Sequence, residues 1–130
     1  MSAMKFREPN QVKWVGVRPA HKGTQILKQG RATTDDVTLY TTPTGKTFYL
    51  VHYNITIQIT ASSLISAVAI RDSSGVAQYY IAYLNDAPNG VYIYEGNFDP
   101  PLEIPAGWYV HLDRNSSYGP IMCSIFGWEE

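Results

Sequence analysis

Between Phe48 and Ile59 the chain alternates with a period of two. Tyr49, Val51, Tyr53, Ile55, Ile57 and Ile59 fall on one side, and Phe48, Leu50, His52, Asn54, Thr56 and Gln58 on the other. β-Branched and aromatic residues at this period predict a strand. The first side is apolar throughout and is expected to lie on a core. The second begins apolar and turns polar, so it is expected to reach solvent or a wet interface near Asn54. Just ahead, "TTPTGK" reads as a turn: Pro43 suits the i+1 position, and Gly45 can take the positive φ that ends one.

Similar segments follow one another from Val37 onward. "VTLYTT", the ribbon at 47–60, "SLISAVAIRD", "VAQYYIAYL", "VYIY", "PLEI", "WYVHLDR" and "IMCSIFGW" all read as short strands. "DSSG", "PAG" and "NSSYGP" read as turns, and the Asn89-Gly90 pair in "NDAPNG" is a favoured hairpin signal. No window combines helical spacing with caps. The expected fold is all-β, an antiparallel β-sandwich with jelly-roll or Greek-key connections. A chain of 130 residues is expected to form one domain with its own core.

Charge divides the chain. Residues 1–31 carry seven basic side chains against Glu8 alone, whereas residues 32–130 carry three against ten acids. Residues 1–36 are therefore expected to be a basic, extended docking arm beside an acidic sandwich at 37–130. "VKWVGV" and "TQILK" within the arm could each form a short strand. Trp14, Val15 and Val17 are its candidate apolar contacts, and Lys5 and Arg7 its candidate charged ones. No apolar run is long enough to span a membrane. The first residues lack the apolar centre of a secretory signal. Cys123 stands alone, which excludes an intrachain disulfide, suits a reducing compartment and points to a small buried side chain.

Motifs for catalysis are missing: there is no G-x-S-x-G, H-E-x-x-H, P-loop, G-x-G-x-x-G or C-x-x-C. His21, His52 and His111 are far apart. His111 and Asp113 would share a strand face, with His52 approaching only if its strand pairs nearby, and no metal-ligand spacing supports them. Neither catalysis nor a metal or other cofactor is expected. Glu95, Asp99 and Glu103 lie in or beside a Pro-rich stretch and are expected to face water. The sequons at Asn54 and Asn115 are read as chance. Tyrosine is abundant, and Tyr79, Tyr80, Tyr83, Tyr92 and Tyr94 crowd into one stretch with Phe98. Tyr79, Tyr83, Tyr92 and Tyr94 are candidate interface residues, because Tyr joins a large apolar body to a polar tip. Nucleic-acid binding would need basic residues interleaved among them, and the acidic body has none there.

The phrases "LYTTPTGKTFYLVHYNITI", "DPPLEIPAGWYVHLD" and "IFGWEE" resemble small all-β virion proteins of tailed bacteriophages, of head-decoration, tail-tip or fibre-head type. The resemblance covers roughly Val37 to Trp128. It implies a non-enzymatic protein made in the host cytoplasm and placed in the virion, often as a homotrimer. The leading expectation is a capsid decoration or stabilising subunit that bridges neighbours on a major capsid or tail protein. A receptor- or carbohydrate-binding head that contacts a host glycan is the alternative, and a small cupin- or lyase-type enzyme a third.

Overall fold

In the computed structural model the described residues are 23–61, 65–114 and 119–130. They form eight strands: β1 (Thr24–Ala32), β2 (Val37–Thr41), β3 (Phe48–Ile59), β4 (Ile65–Arg71), β5 (Ala77–Asn85), β6 (Gly90–Ile104), β7 (Tyr109–Asp113) and β8 (Ile121–Glu129). One sheet has the order β1-β8-β3-β6 and the other β2-β7-β4-β5, with every pairing antiparallel. First pairs with last, second with seventh, third with sixth and fourth with fifth. The chain is thus one long ribbon, hinged at the β4–β5 hairpin and rolled into a sandwich, which is jelly-roll winding. Phe48, Leu50, Ile55, Ile57, Val68, Leu112, Ile121 and Ile125 fill the space between the sheets, each at most 1% exposed.

The long alternating segment is indeed a strand, but it does not keep one face on the core. Phe48 and Leu50 are fully buried, as are Ile55 and Ile57, although the two pairs differ in parity. Both neighbours of β3 skip Val51: β8 pairs Gly127 with Leu50 and then Phe126 with His52, and β6 pairs Leu102 with Leu50 and then Asn97 with His52. This one-residue bulge exchanges the two faces of the strand. Tyr49 and Val51, expected inside, are half-buried instead. On β6 residues 98–101 lie opposite the bulge, so Pro100 and Pro101, which have no N–H to donate, stand where the ladder is already broken. "VYIY" and "PLEI" are consequently parts of one strand.

Three other expectations change in detail. Lys46 N–H donates to Pro43 O at 3.2 Å, which puts Pro43 at position i of its turn and Gly45, with φ 78°, at i+2. The "PAG" turn copies this arrangement, with Trp108 N–H on Pro105 O at 3.1 Å and Gly107 at φ 82°. Buried Thr42 joins the two turns: its N–H donates to Trp108 O, its carbonyl accepts from Gly107 N–H, and its Oγ1 donates to Ile104 O. Asn89-Gly90 does not close a hairpin, since β5 and β6 belong to different sheets. The hairpin is at "DSSG", where the Asp72 carboxylate accepts the Val76 and Ser74 N–H groups and is held below its usual range by them. Finally, Thr24–Ala32 is not part of a separate arm. It pairs along its whole length with β8 and completes the sheet, its Ile26 packing on the core and Ala32 buried within it. Charge grouped these residues with the N-terminus, whereas backbone pairing and burial place them in the sandwich. Residues ahead of Gly23 lie outside the described residues.

The bulge makes a sharp contrast testable by urea denaturation. Leu50→Ala is expected to cost about 2–5 kcal/mol, and Val51→Ala about 1 kcal/mol or less. Unbroken alternation would reverse that order.

Candidate functional site

Sequence-predicted site residues scatter over three places. Tyr92 and Tyr94 pair with Ile57 and Ile55 on the inner face and pack against the core, with the Tyr92 hydroxyl donating to Pro88 O at 2.8 Å. Burial holds the Tyr94 hydroxyl above its usual range. Tyr79 meets the Phe98 ring at 5.9 Å, and Phe98 meets Tyr53 at 5.4 Å, so these three rings close the rim of the sandwich between β5 and β6. Tyr83 stands on the outer face of the β2-β7-β4-β5 sheet beside Tyr80, ring to ring at 5.0 Å. A bulge at Ile81 puts both rings on that face despite their odd spacing. Lys5, Arg7, Trp14, Val15 and Val17 lie outside the described residues.

The outer face of the other sheet reads as cross-strand rows. Arg31, Met122, Thr56 and Ile93 make one, Gln29, Ser124, Asn54 and Glu95 the next, and Leu27, Phe126, His52 and Asn97 the third. His52 Nδ1 lies 2.8 Å from Asn97 Oδ1, so this histidine is on the opposite face of the molecule from His111 and cannot join it. Asn54 sits mid-strand between β6 and β8, not in a loop. A shallow depression over Ser124, Asn54 and Gln29 holds no converging acid and base.

The two free edges of this sheet differ in charge. β1 carries Lys28 and Arg31 and no acid, whereas β6 carries Glu95, Asp99 and Glu103 and no base, all five exposed. Each edge also presents apolar side chains to solvent: Leu27 at 63% on β1, and Val91 at 61% and Ile93 at 68% on β6. Among the described residues no strand pairs with either edge. A sheet edge with open N–H and C=O groups and uncovered apolar side chains is a template for another chain. Charge restricts which edge it can meet.

The outer face of the second sheet carries the polar cluster. Ala67 and Ala69 on β4 are fully buried there, between Tyr83 and Tyr80 on one side and Asp113 and His111 on the other. Arg71 reaches along the strand to Asp113 at 2.6 Å, and that carboxylate raises the Arg71 pKa further. His111 Nε2 lies 3.4 Å from Asp36 Oδ2 and 3.6 Å from Asp113 Oδ1. The His111 and Asp113 pair is legible in the strand pattern. Asp36 and Arg71 are not, because they arrive from the β1–β2 connection and from β4. The only sequence signal for Asp36 is its place in "TTDD", a polar turn immediately before a strand.

Neither a protein-family model nor a curated protein matches this sequence. Among solved structures, a chain of the one titled "Cyanophage Pam1 capsid asymmetric unit" is similar at 13% identity, with 96% of this chain and 99% of that chain covered and a TM-score of 0.49. A likeness of that size bears on neither fold nor role.

Cys123 is 4% exposed, and burial pushes its thiol up to about 12. A buried neutral thiol is a poor nucleophile. The folded protein is therefore expected to leave an aromatic disulfide reagent unreacted at neutral pH, and the same protein in denaturant to release one equivalent. Fast labelling of the folded chain would show an accessible thiolate instead.

Proposed function

We propose that the protein is a non-enzymatic structural subunit of a bacteriophage virion, a capsid decoration or stabilising subunit that assembles with copies of itself. The virion part of this reading is supported by the turn and strand phrases that resemble small virion proteins. The assembly part is carried by one observation: the basic edge β1 and the acidic edge β6 bound the same sheet, each with exposed apolar residues. An edge meeting its own copy would set like charge against like. The β1 edge of one copy against the β6 edge of the next pairs opposite charges and covers Leu27 with Val91 and Ile93. Such a head-to-tail contact is heterologous, and it closes into a ring when the rotation allows. The ring proposed is a trimer.

Apolar burial supplies the affinity here, at about 1.5–3 kcal/mol for each large side chain fully covered. The charges supply orientation and speed of encounter, and they weaken as salt rises. Residues ahead of Gly23 are proposed as a docking arm onto a major capsid or tail protein, through Trp14, Val15 and Val17 with Lys5 and Arg7. A glycan-binding head is the second reading. It is supported by the exposed Tyr80 and Tyr83 rings, 46% and 43% accessible.

Light scattering and sedimentation at micromolar concentration test the assembly. The chain is expected to be a trimer, and Lys28→Glu with Arg31→Glu to lower its association constant at least tenfold. Adding Glu95→Lys and Glu103→Lys to that variant should restore association. A monomer at every concentration, alone or with capsid shells, overturns the reading. Deleting residues 1–22 is expected to leave one cooperative thermal transition and to weaken attachment to shells. Deleting residues 1–32 removes β1 and is expected to lower the transition temperature sharply. Glycan binding abolished by Tyr80→Ala would favour the second reading.

A further inference from the structure

We propose that Asp36, His111 and Asp113 form a site for one divalent transition-metal ion of the zinc type, on the outer face of the β2-β7-β4-β5 sheet. Each residue offers one ligand atom, and the three atoms lie within 4.8 Å of one another. Their spacing suits a metal better than a proton. A protonated Nε2 would draw one carboxylate to about 2.7–2.9 Å. Here Nε2 stands at 3.4 Å from one oxygen and 3.6 Å from the other. Ligands held about 2.0–2.2 Å from a tetrahedral ion lie roughly 3.3–3.6 Å apart.

The second observation concerns the atoms that do not converge. His111 Nδ1 is 3.2 Å from Thr38 Oγ1, Asp36 Oδ1 accepts the Arg114 N–H at 2.8 Å, and Asp113 Oδ2 accepts from Arg71 at 2.6 Å. Each residue thus turns one ligand atom toward the other two and has its other atom held by a partner outside the group, while His111 Nε2 and Asp36 Oδ2 make only a long contact, at 3.4 Å. Metal sites are supported in this way: outer partners set the imidazole tautomer and aim the carboxylates. With Nδ1–H donating to Thr38, Nε2 keeps its lone pair for the ion. Arg71 neutralises only the far oxygen of Asp113, so two carboxylates and one guanidinium still leave net negative charge for a dication.

Chemistry narrows the ion. One imidazole with two carboxylates suits zinc or its neighbours, whereas calcium and magnesium favour oxygen-only sets. His111 and Asp113 are 15% and 20% accessible and Asp36 is 47% accessible, so the remaining coordination position faces outward. The ion would tie the β1–β2 connection to β7, bridging residues 75 apart in sequence. It acts as a clip on the rolled ribbon and does not depend on assembly into a ring.

The test uses the full chain, freed of metal with a chelator and titrated with zinc chloride by calorimetry. One saturable equivalent is expected, with a rise in transition temperature of about 5 °C at saturating zinc. Cobalt in its place should give the visible absorption of a four-coordinate ion. His111→Ala and Asp36→Asn should each weaken binding at least tenfold. Thr38→Val, which removes only the Nδ1 partner, should weaken it by about tenfold. His21→Ala with His52→Ala should leave it unchanged. Should His111→Ala fail to fold, Asp36→Asn carries the test, because Asn keeps the acceptor for Arg114. Absence of saturable binding below about 1 mM, or binding that survives Asp36→Asn or depends on His21 and His52, overturns the proposal.

Discussion

Val51 is the residue on which the architecture turns, because it lets a single strand present two apolar sets of opposite parity to one core. Without that slip, Phe48 and Leu50 would face water whenever Ile55 and Ile57 faced inward. The strand on each side skips the same residue, so the defect is shared across the sheet. On β6 the compensating stretch takes in Pro100 and Pro101, and on β8 Gly127 lies opposite Leu50. A Cβ on Gly127 would run into Tyr49 O and meet the Phe48 ring at 2.8 Å. The prolines, the glycine and the bulge are thus one packing solution.

Among the described residues, rolling the ribbon into a sandwich protects four strands and leaves four as edges. β1 and β2 lie together along one side of the molecule. There Leu39 packs where Gly30 has no side chain, and Lys28 sits 5.5 Å from the Tyr40 ring. Along the other side, Tyr79, Phe98 and Tyr53 fill the rim between β5 and β6. Both rims are closed by side chains, but among the described residues no strand pairs with the outer edges of the four edge strands. Charge then distinguishes the edges of one sheet, basic at β1 and acidic at β6. The charge asymmetry visible along the sequence becomes, in part, an asymmetry across the sheet.

The two outer faces divide the remaining chemistry. One carries apolar and aromatic residues in rows around a polar middle. The other carries a connected set, Asp36 with His111, Asp113 and Arg71, laid across a floor of two alanines. Small residues at Ala67 and Ala69 allow long side chains from β5 and β7 to close over the central strand. His111 and Arg71 can therefore be held at partial burial without a deep pocket.

By itself the sequence determined the all-β class, most strand positions and the glycine turns, because alternation and turn chemistry are local properties of the chain. It also determined that Cys123 is inside, since it is a small residue among largely apolar neighbours on a strand. Only the tertiary structure decided which side of β3 faces the core, because one inserted residue reverses every side chain beyond it and period two cannot locate the slip. It likewise decided that Thr24–Ala32 belongs to the sandwich: pairing with β8 and burial against the core outweigh the charge that groups this stretch with the N-terminus. Asn89-Gly90 turns between sheets for a related reason, as a permissive turn fixes local backbone angles but not the partner of the next strand. The cluster around His111 was half legible, through the shared face of His111 and Asp113. Asp36 and Arg71 join it through pairings between distant strands, and those depend on how the whole ribbon rolls.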